Sequence, residues 1–157
     1  MKKRNIYNLL FYVLSAEIIG AISALLSGGF SDFFNKYDKP PLMPPSWLFP
    51  VVWVILYAVM GFSAYIIDVS DSDADIRKKA LTFYWSQLAV NFFWSIAFFR
   101  FEALWGSFAI IILLLALITG MIVIFKKISP FASYINIPYI IWVIFASYLN
   151  FATAFIN

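Results

Sequence analysis

The chain has 157 residues, of which 64% are hydrophobic and 12% charged, with a net charge of +3 at pH 7. Soluble domains are about 45–50% apolar and about 25% charged, so this composition argues against a water-soluble enzyme, a nucleic-acid binder and a disordered chain. The sequence contains no Cys and no His, which removes thiolate nucleophiles, Cys/His zinc sites and the Ser-His-Asp triad. We therefore predict no catalytic residue set and no metal site.

Five mostly apolar stretches follow one another, and each is long enough to cross a membrane as a helix. They cover residues 6–26, 47–67, 80–99, 103–125 and 131–156. The residue-by-residue alternation of barrel strands is absent from them. The sequence thus predicts one all-α domain over residues 1–157, an integral membrane bundle of five transmembrane helices.

The charged N-terminus and the loops predict how the bundle is oriented. A cleaved signal peptide is one alternative for the first span, but the apolar run is too long and contains Glu17. Eight of the 11 Lys and Arg residues belong to the N-terminus and to the loops on its side of the membrane. Because basic loops stay inside, we expect a cytoplasmic N-terminus and an external C-terminus in a bacterial cell membrane.

The first two loops differ in character. The first carries four prolines, at positions 40, 41, 44 and 45, which predict a stiff and extended segment. Its apolar side chains fit either a lid over the helices or an anchor at the membrane interface, and both interpretations stay open. The second loop has spaced aspartates between positions 68 and 75, but it lacks the Gly and the Glu of a calcium loop. A solvated linker that caps the third span is the favoured interpretation.

Polar residues inside the spans are candidate functional groups, because an unpaired polar group is costly in lipid. Glu17 is the only charged residue in any span. Gln87, Asn91 and Ser95 share one face of the third span, where they either form a site or hydrogen-bond helices together. Pro50 and Pro138 are expected to kink the second and fifth spans and to open a cavity between them.

Large and small side chains also form patterns within the spans. Trp53, Trp94 and Trp142 lie deeper than an interfacial belt requires, so they serve either as packing or as walls of an aromatic pocket. The small residues Ala16, Gly20 and Ala24 form a stripe that allows close helix packing.

Three segments together resemble the TspO/MBR family, the tryptophan-rich sensory and translocator proteins. They are Lys39-Pro40-Pro41 with Pro44-Pro45 leading to Trp53 and Tyr57, then Gln87 to Phe99, and then Pro138 to Asn150. The resemblance covers essentially the whole chain. It implies a five-helix bundle that binds porphyrins and other flat hydrophobic ligands beneath the first loop. The binding residues that it implies are Trp53, Trp142, Phe34, Pro44, Phe49, Tyr57, Asn91, Ser95, Phe98, Ala146 and Leu149.

The sequence also departs from the family's usual pattern at three positions of the first loop. The family usually has Trp-Tyr where this chain has Phe33-Phe34, and Trp where it has Leu42. Loss of the Tyr hydroxyl and of the loop Trp indole removes two hydrogen-bond donors from the first loop, which affects the expected ligand preference.

The resemblance further implies a receptor or sensor for a protoporphyrin IX-like ligand, with no obligatory cofactor. A metal-free porphyrin is expected, because the chain has no His or Cys to ligate haem iron. Transport or light-dependent degradation of the porphyrin is compatible with this assignment. The alternative is a transporter of small hydrophobic solutes that uses Glu17 as its coupling carboxylate. The expected partners are the lipid bilayer, a flat hydrophobic molecule and a second copy of the chain, with no nucleic acid.

Overall fold

A computed structural model describes residues 6–157, which are mostly helical and contain no strand. A π-helical turn, Ile96–Arg100, directly follows the fourth helix. The helices are α1 (Ile6–Ser27), α2 (Phe30–Lys36), α3 (Leu48–Asp68), α4 (Ala74–Ser95), α5 (Leu104–Ile128), α6 (Pro130–Tyr134) and α7 (Ile137–Ile156). The predicted all-α class is therefore confirmed.

Within residues 6–157, four helical stretches are long and apolar enough to cross a membrane. They are α1, α3, α5 and the combined stretch Pro130–Ile156. Helix α4 is equally long, but its first turns are charged, so its apolar part begins only at Ala80. The π-helical turn then prolongs this apolar part as far as Phe99. The fold is a membrane bundle with four clear spans and a fifth long helix.

The two prolines predicted to kink spans lie instead at helix starts. Pro50 is in the first turn of α3, and Pro138 is in the first turn of α7. A first-turn residue has no intrahelical partner for its N–H, so a proline is accommodated there without a lost hydrogen bond. The predicted interior kinks are therefore wrong. The stretch 131–156 is instead divided into α6 and α7, with Asn136 at the division.

Small residues bring α1 and α3 into close contact. A Cβ atom built on Gly61 would lie 2.6 Å from the Val13 Cα, and one on Gly20 would lie 2.3 Å from the Tyr57 ring. Ala16 is fully buried in the same region. The small-residue stripe thus packs helices within one chain, and it supplies no argument for the expected homodimer.

The second loop caps α4 as predicted. The Asp73 side chain accepts hydrogen bonds from the backbone N–H groups of Asp75, at 2.9 Å, and Ile76, at 3.4 Å. This satisfies two of the donors that a helix start leaves unpaired. The interpretation of this segment as a linker with a helix cap is confirmed.

Candidate ligand-binding site

A cavity of about 110 Å³ lies between α1, α3 and α4, close to the first loop. Gly20 and Ala24 leave space on the α1 side, while Trp53 and Tyr57 form the α3 side. The remaining wall residues are Glu17, Ala21, Ser23, Phe30, Phe49, Pro50, Val54, Asn91, Trp94, Ser95 and Phe99. Small residues on one helix therefore face large aromatic residues on its neighbours.

Six of the 15 wall residues are aromatic, and several of their rings are in mutual contact. The Trp53 ring centroid lies 5.6 Å from that of Tyr57 and 6.0 Å from that of Trp94. Trp94 stacks on Phe98, with ring centroids 5.8 Å apart and planes 11° apart. Such a wall presents flat polarizable surfaces, to which a planar apolar ligand can stack.

A buried hydrogen-bonded chain fixes the amide of Asn91 at the cavity wall. The Asn91 Nδ2 donates to the Tyr139 hydroxyl at 3.4 Å, and this hydroxyl donates to Gln87 Oε1 at 2.6 Å. All three side chains are buried. Because they join α4 to α7, the bonds stabilise the bundle as well as orient Asn91.

A second buried connection holds Trp94 in place. Its indole Nε1 donates to Asn150 Oδ1 at 3.1 Å, and Asn150 Nδ2 donates to the Leu104 carbonyl at 2.9 Å. Asn150 therefore bridges α4, α5 and α7. The sequence indicated a deep position for Trp94 and a polar residue, Asn150, within the fifth span, but not that the two contact each other.

Serine hydroxyls link α1 and α4 at the end of the cavity nearest the first loop. The Oγ atoms of Ser27 and Ser95 are 2.8 Å apart, and the Ser23 hydroxyl donates to the Phe92 carbonyl at 2.9 Å. The Ser95 hydroxyl at the cavity wall is therefore already hydrogen-bonded within the protein.

The first loop covers the outer end of this region. Helix α2 buries Phe33 and Phe34, whose rings lie 4.7 Å from Phe98 and 5.1 Å from Phe49, respectively. The rest of the proline-rich segment, from Lys39 to Ser46, forms no helix. Buried aromatic contacts of this kind favour the lid interpretation over a simple interfacial anchor.

Polar contacts fasten this lid to the segment that precedes α5 and to α7. Lys36 forms an ion pair with Glu102, whose carboxylate also accepts a hydrogen bond from the Tyr37 hydroxyl at 2.8 Å. We call these three residues the lid clasp. Nearby, the Tyr148 hydroxyl donates to the Pro41 carbonyl at 3.0 Å.

The lid clasp also changes the ionisation of its members. Hydrogen bonds from Lys36 and Tyr37 lower the pKa of Glu102, and the hydrogen bond to Glu102 raises the pKa of Lys36. Desolvation, followed by its bond to Glu102, raises the pKa of Tyr37. The ionised clasp is thus favoured around neutral pH.

The sequence of this helical bundle matches the TspO/MBR family over residues 11–156. The chain belongs to this family. It is similar to Tryptophan-rich protein TspO of Archaeoglobus fulgidus, with 37% identity over 90% of this chain and 97% of the relative. Protein CrtK of Rhodobacter capsulatus is 32% identical, over 93% and 90% of the two chains. The Translocator protein of Ovis aries is 30% identical, over 76% and 71%.

Membership in the TspO/MBR family makes this a multi-pass membrane protein of the sensory and translocator kind. The resemblance to the TspO/MBR family, predicted from three sequence segments, is confirmed. The structure also brings together part of the predicted site. Five of the predicted binding residues line the cavity: Phe49, Trp53, Tyr57, Asn91 and Ser95.

The other predicted binding residues of this TspO/MBR protein lie around the cavity rather than in its wall. Phe34 belongs to the lid and packs on Phe49, and Phe98 packs on Phe33 beneath the lid. Pro44 lines a groove beside Phe34 on the lid's surface. On α7, Ala146 and Leu149 are buried in the bundle.

Trp142 lies in an apolar groove between α3 and α7, with its ring centroid 5.8 Å from that of Phe49. The two deep tryptophans implied by the resemblance, Trp53 and Trp142, therefore line different spaces. The Trp142 Nε1 is buried and has no hydrogen-bond partner among residues 6–157.

Several wall residues were not predicted as binding residues. Trp94, Phe99 and Phe30 add aromatic surface, and Gly20 provides space beside Tyr57. The deep position of Trp94 and the small-residue stripe were visible in the sequence. Neither signal shows which side of a helix faces a cavity.

Proposed function

We propose that this protein is a membrane receptor or sensor that binds a flat, apolar tetrapyrrole of the protoporphyrin type. The observation that carries the proposal is the aromatic wall of Trp53, Tyr57 and Trp94, together with the fixed amide of Asn91. The rings supply stacking surface and the amide supplies a directional polar contact. No cofactor is required for this binding.

The size of the cavity adds a condition to the proposal. Sites for drug-sized ligands usually measure about 300–1,000 Å³, whereas this cavity measures about 110 Å³. A macrocycle therefore enters only if wall side chains or the lid move. We expect the lid clasp to influence the rates of ligand entry and exit.

The test is a titration of the protein in nanodiscs with protoporphyrin IX, followed by porphyrin absorbance and by quenching of tryptophan fluorescence. Trp53→Leu removes a cavity wall, and we expect about threefold to tenfold weaker binding, because one aromatic contact contributes about 0.5–1.5 kcal/mol beyond its buried area. Trp105→Leu is the matched control, since Trp105 is largely exposed on α5.

Trp142→Leu distinguishes ligand binding in the cavity from ligand binding in the groove between α3 and α7. Because Trp142 lies outside the cavity wall, we expect its loss to weaken binding less than the loss of Trp53. Linear quenching that is identical in all variants and in empty nanodiscs would refute binding at this site. A large effect confined to Trp142→Leu would move the proposed site to the groove.

Transport and light-dependent degradation are proposed consequences of binding. Degradation would proceed from the excited porphyrin with an oxidisable tryptophan nearby, and Trp53 and Trp94 are the candidates at the wall. If porphyrin were lost as fast in darkness without oxygen as in light, the reaction would not be photochemical. Homodimer formation, the bacterial cell membrane and the cytoplasmic N-terminus also stay proposals.

The alternative function is transport of small hydrophobic solutes with Glu17 as the coupling carboxylate. The position of Glu17 at the cavity wall is the observation that favours it. Proton-coupled uptake into proteoliposomes should then fail in Glu17→Gln, and an unchanged flux in this variant would exclude the role.

A further inference from the structure

Glu17 is the charged residue of the cavity wall. The rest of the wall is apolar or uncharged, with Ser23, Asn91 and Ser95 as its other polar side chains beside the Tyr57 phenol. Glu17 is half-buried on α1, two to three turns before the point where this helix enters the first loop. The wall therefore has one acidic side chain, at a distance from the lid, and no basic side chain.

Three polar side chains of the wall have hydrogen-bond partners, whereas Glu17 has none among residues 6–157. Ser23 bonds to the Phe92 carbonyl, Ser95 to Ser27, and Asn91 to Tyr139. Among residues 6–157, no hydrogen bond or ion pair reaches the Glu17 carboxylate. An unpaired carboxylate at membrane depth is costly, and such groups in membrane proteins usually face a partner, a substrate path or a water-filled cavity.

The cavity is open on the side where Glu17 lies. Ala21 on α1 and Pro50 and Val54 on α3 line the cavity and are also exposed on the outer surface of the bundle. The opening therefore lies between α1 and α3 and faces the region that lipid would occupy. A flat apolar molecule dissolved in the bilayer would pass Glu17 as it entered.

We infer that Glu17 is a specificity-determining residue that pairs with a protonated nitrogen on a flat, largely apolar ligand. This inference rests on the proposed function, since it assigns the charge preference of the same cavity. A charge-assisted hydrogen bond is stronger than a neutral one, and it is least screened where water is excluded. The cavity thus favours cationic aromatic amines over uncharged molecules of the same shape.

The carboxylate of Glu17 would also determine how a tetrapyrrole is oriented in the cavity. Carboxylates repel one another at close range. The propionate groups of a porphyrin would therefore point toward the lid, and its apolar edge would lie toward Glu17. Removing the charge of Glu17 should leave the affinity for protoporphyrin IX unchanged or increase it.

The test compares two fluorescent probes of similar shape, 9-aminoacridine, which is cationic at neutral pH, and 9-methylanthracene, which is uncharged. Both are titrated against the full chain in phosphatidylcholine nanodiscs, with empty nanodiscs as background. Glu17→Gln keeps the shape of the side chain and removes its charge. Asp75→Asn is the matched control, because Asp75 is an exposed carboxylate in the first turn of α4, outside the cavity.

We expect Glu17→Gln to weaken 9-aminoacridine binding about tenfold, which corresponds to about 1.4 kcal/mol, and to leave 9-methylanthracene within about twofold. Asp75→Asn should change neither probe. Equal loss of both probes in Glu17→Gln would assign Glu17 a structural role and overturn the inference. Unchanged 9-aminoacridine affinity would overturn it as well.

The same experiment separates this inference from the proposed function. If protoporphyrin IX binds saturably and 9-aminoacridine binding does not depend on Glu17, the proposed function stands and the inference fails. If protoporphyrin IX shows no saturable binding while 9-aminoacridine binding depends on Glu17, the charge preference stands and the tetrapyrrole assignment fails. If no probe binds saturably to the unaltered protein, both are overturned.

Discussion

Replacing Asn150 with Leu should destabilise the bundle, because it removes two hydrogen bonds between helices at once. The Asn150 side chain is fully buried and joins the Trp94 indole to the Leu104 carbonyl. Interhelical hydrogen bonds in membranes average about 0.6 kcal/mol and reach about 1.7. The loss of both therefore predicts a decrease of about 1–3 kcal/mol in the free energy of unfolding.

A matched control lies one turn further along the same helix. Thr153 is also buried, and its hydroxyl has no hydrogen-bond partner among residues 6–157. Thr153→Val keeps the shape and removes an unsatisfied polar atom, so we expect unchanged or higher stability. Reversible unfolding in mixed detergent micelles, followed by circular dichroism, measures both variants.

Two outcomes would refute this reasoning. One is an Asn150→Leu variant as stable as the unaltered protein, and the other is a Thr153→Val variant that loses as much stability as Asn150→Leu. A double-mutant cycle with Trp94→Phe adds a further check. Because Trp94 and Asn150 share one hydrogen bond, the two substitutions should destabilise by less in combination than the sum of their separate effects.

Three more predictions concern the cavity, the lid and a helix cap. Gly20→Ala should push the Tyr57 ring into the cavity, cost about 1–3 kcal/mol of stability and weaken protoporphyrin IX binding. Gly106→Ala should change neither, because its Cβ would make only an ordinary contact, 3.6 Å from the Ala103 Cβ. The lid clasp lowers the pKa of Glu102, so the clasp is fully formed above the ordinary glutamate pKa and is lost as pH falls through the lowered value. Ligand dissociation, measured by stopped flow, should therefore accelerate in acid. Glu102→Gln should be fast at every pH, and a pH dependence retained in it would contradict the clasp. Asp73→Ala should cost about 0.5–2 kcal/mol in the unfolding assay, and no loss would show that the cap is dispensable.

Much of the fold follows from local properties of the sequence. Apolar stretches of membrane length predict helices wherever they occur, because a backbone in lipid must satisfy its own hydrogen bonds. A cap on the third span was predictable from the second loop for the same kind of reason, since a cap acts within one turn, and Asp73 supplies it. The helix α2 was not predicted, because its seven residues are stabilised by the burial of Phe33 and Phe34 against other helices.

The candidate site was only partly accessible to sequence reasoning. Trp53 and Trp142 both lie deep in apolar spans, yet Trp53 lines the cavity and Trp142 lines a separate groove. In a soluble helix the apolar face identifies the buried side. In a membrane helix the lipid-facing side is equally apolar, so periodicity does not show which residues face the interior.

The sequence alone determined the helical membrane class, the family and the residues able to carry polar contacts in the bilayer. The tertiary structure decided which of these residues meet: Asn150 with Trp94, Gly20 with Tyr57, and Glu17 with an open cavity instead of a partner. The physical reason is that hydrophobicity places a helix in the membrane but does not set its rotation. Rotation depends on side-chain packing and hydrogen bonds between helices distant in sequence.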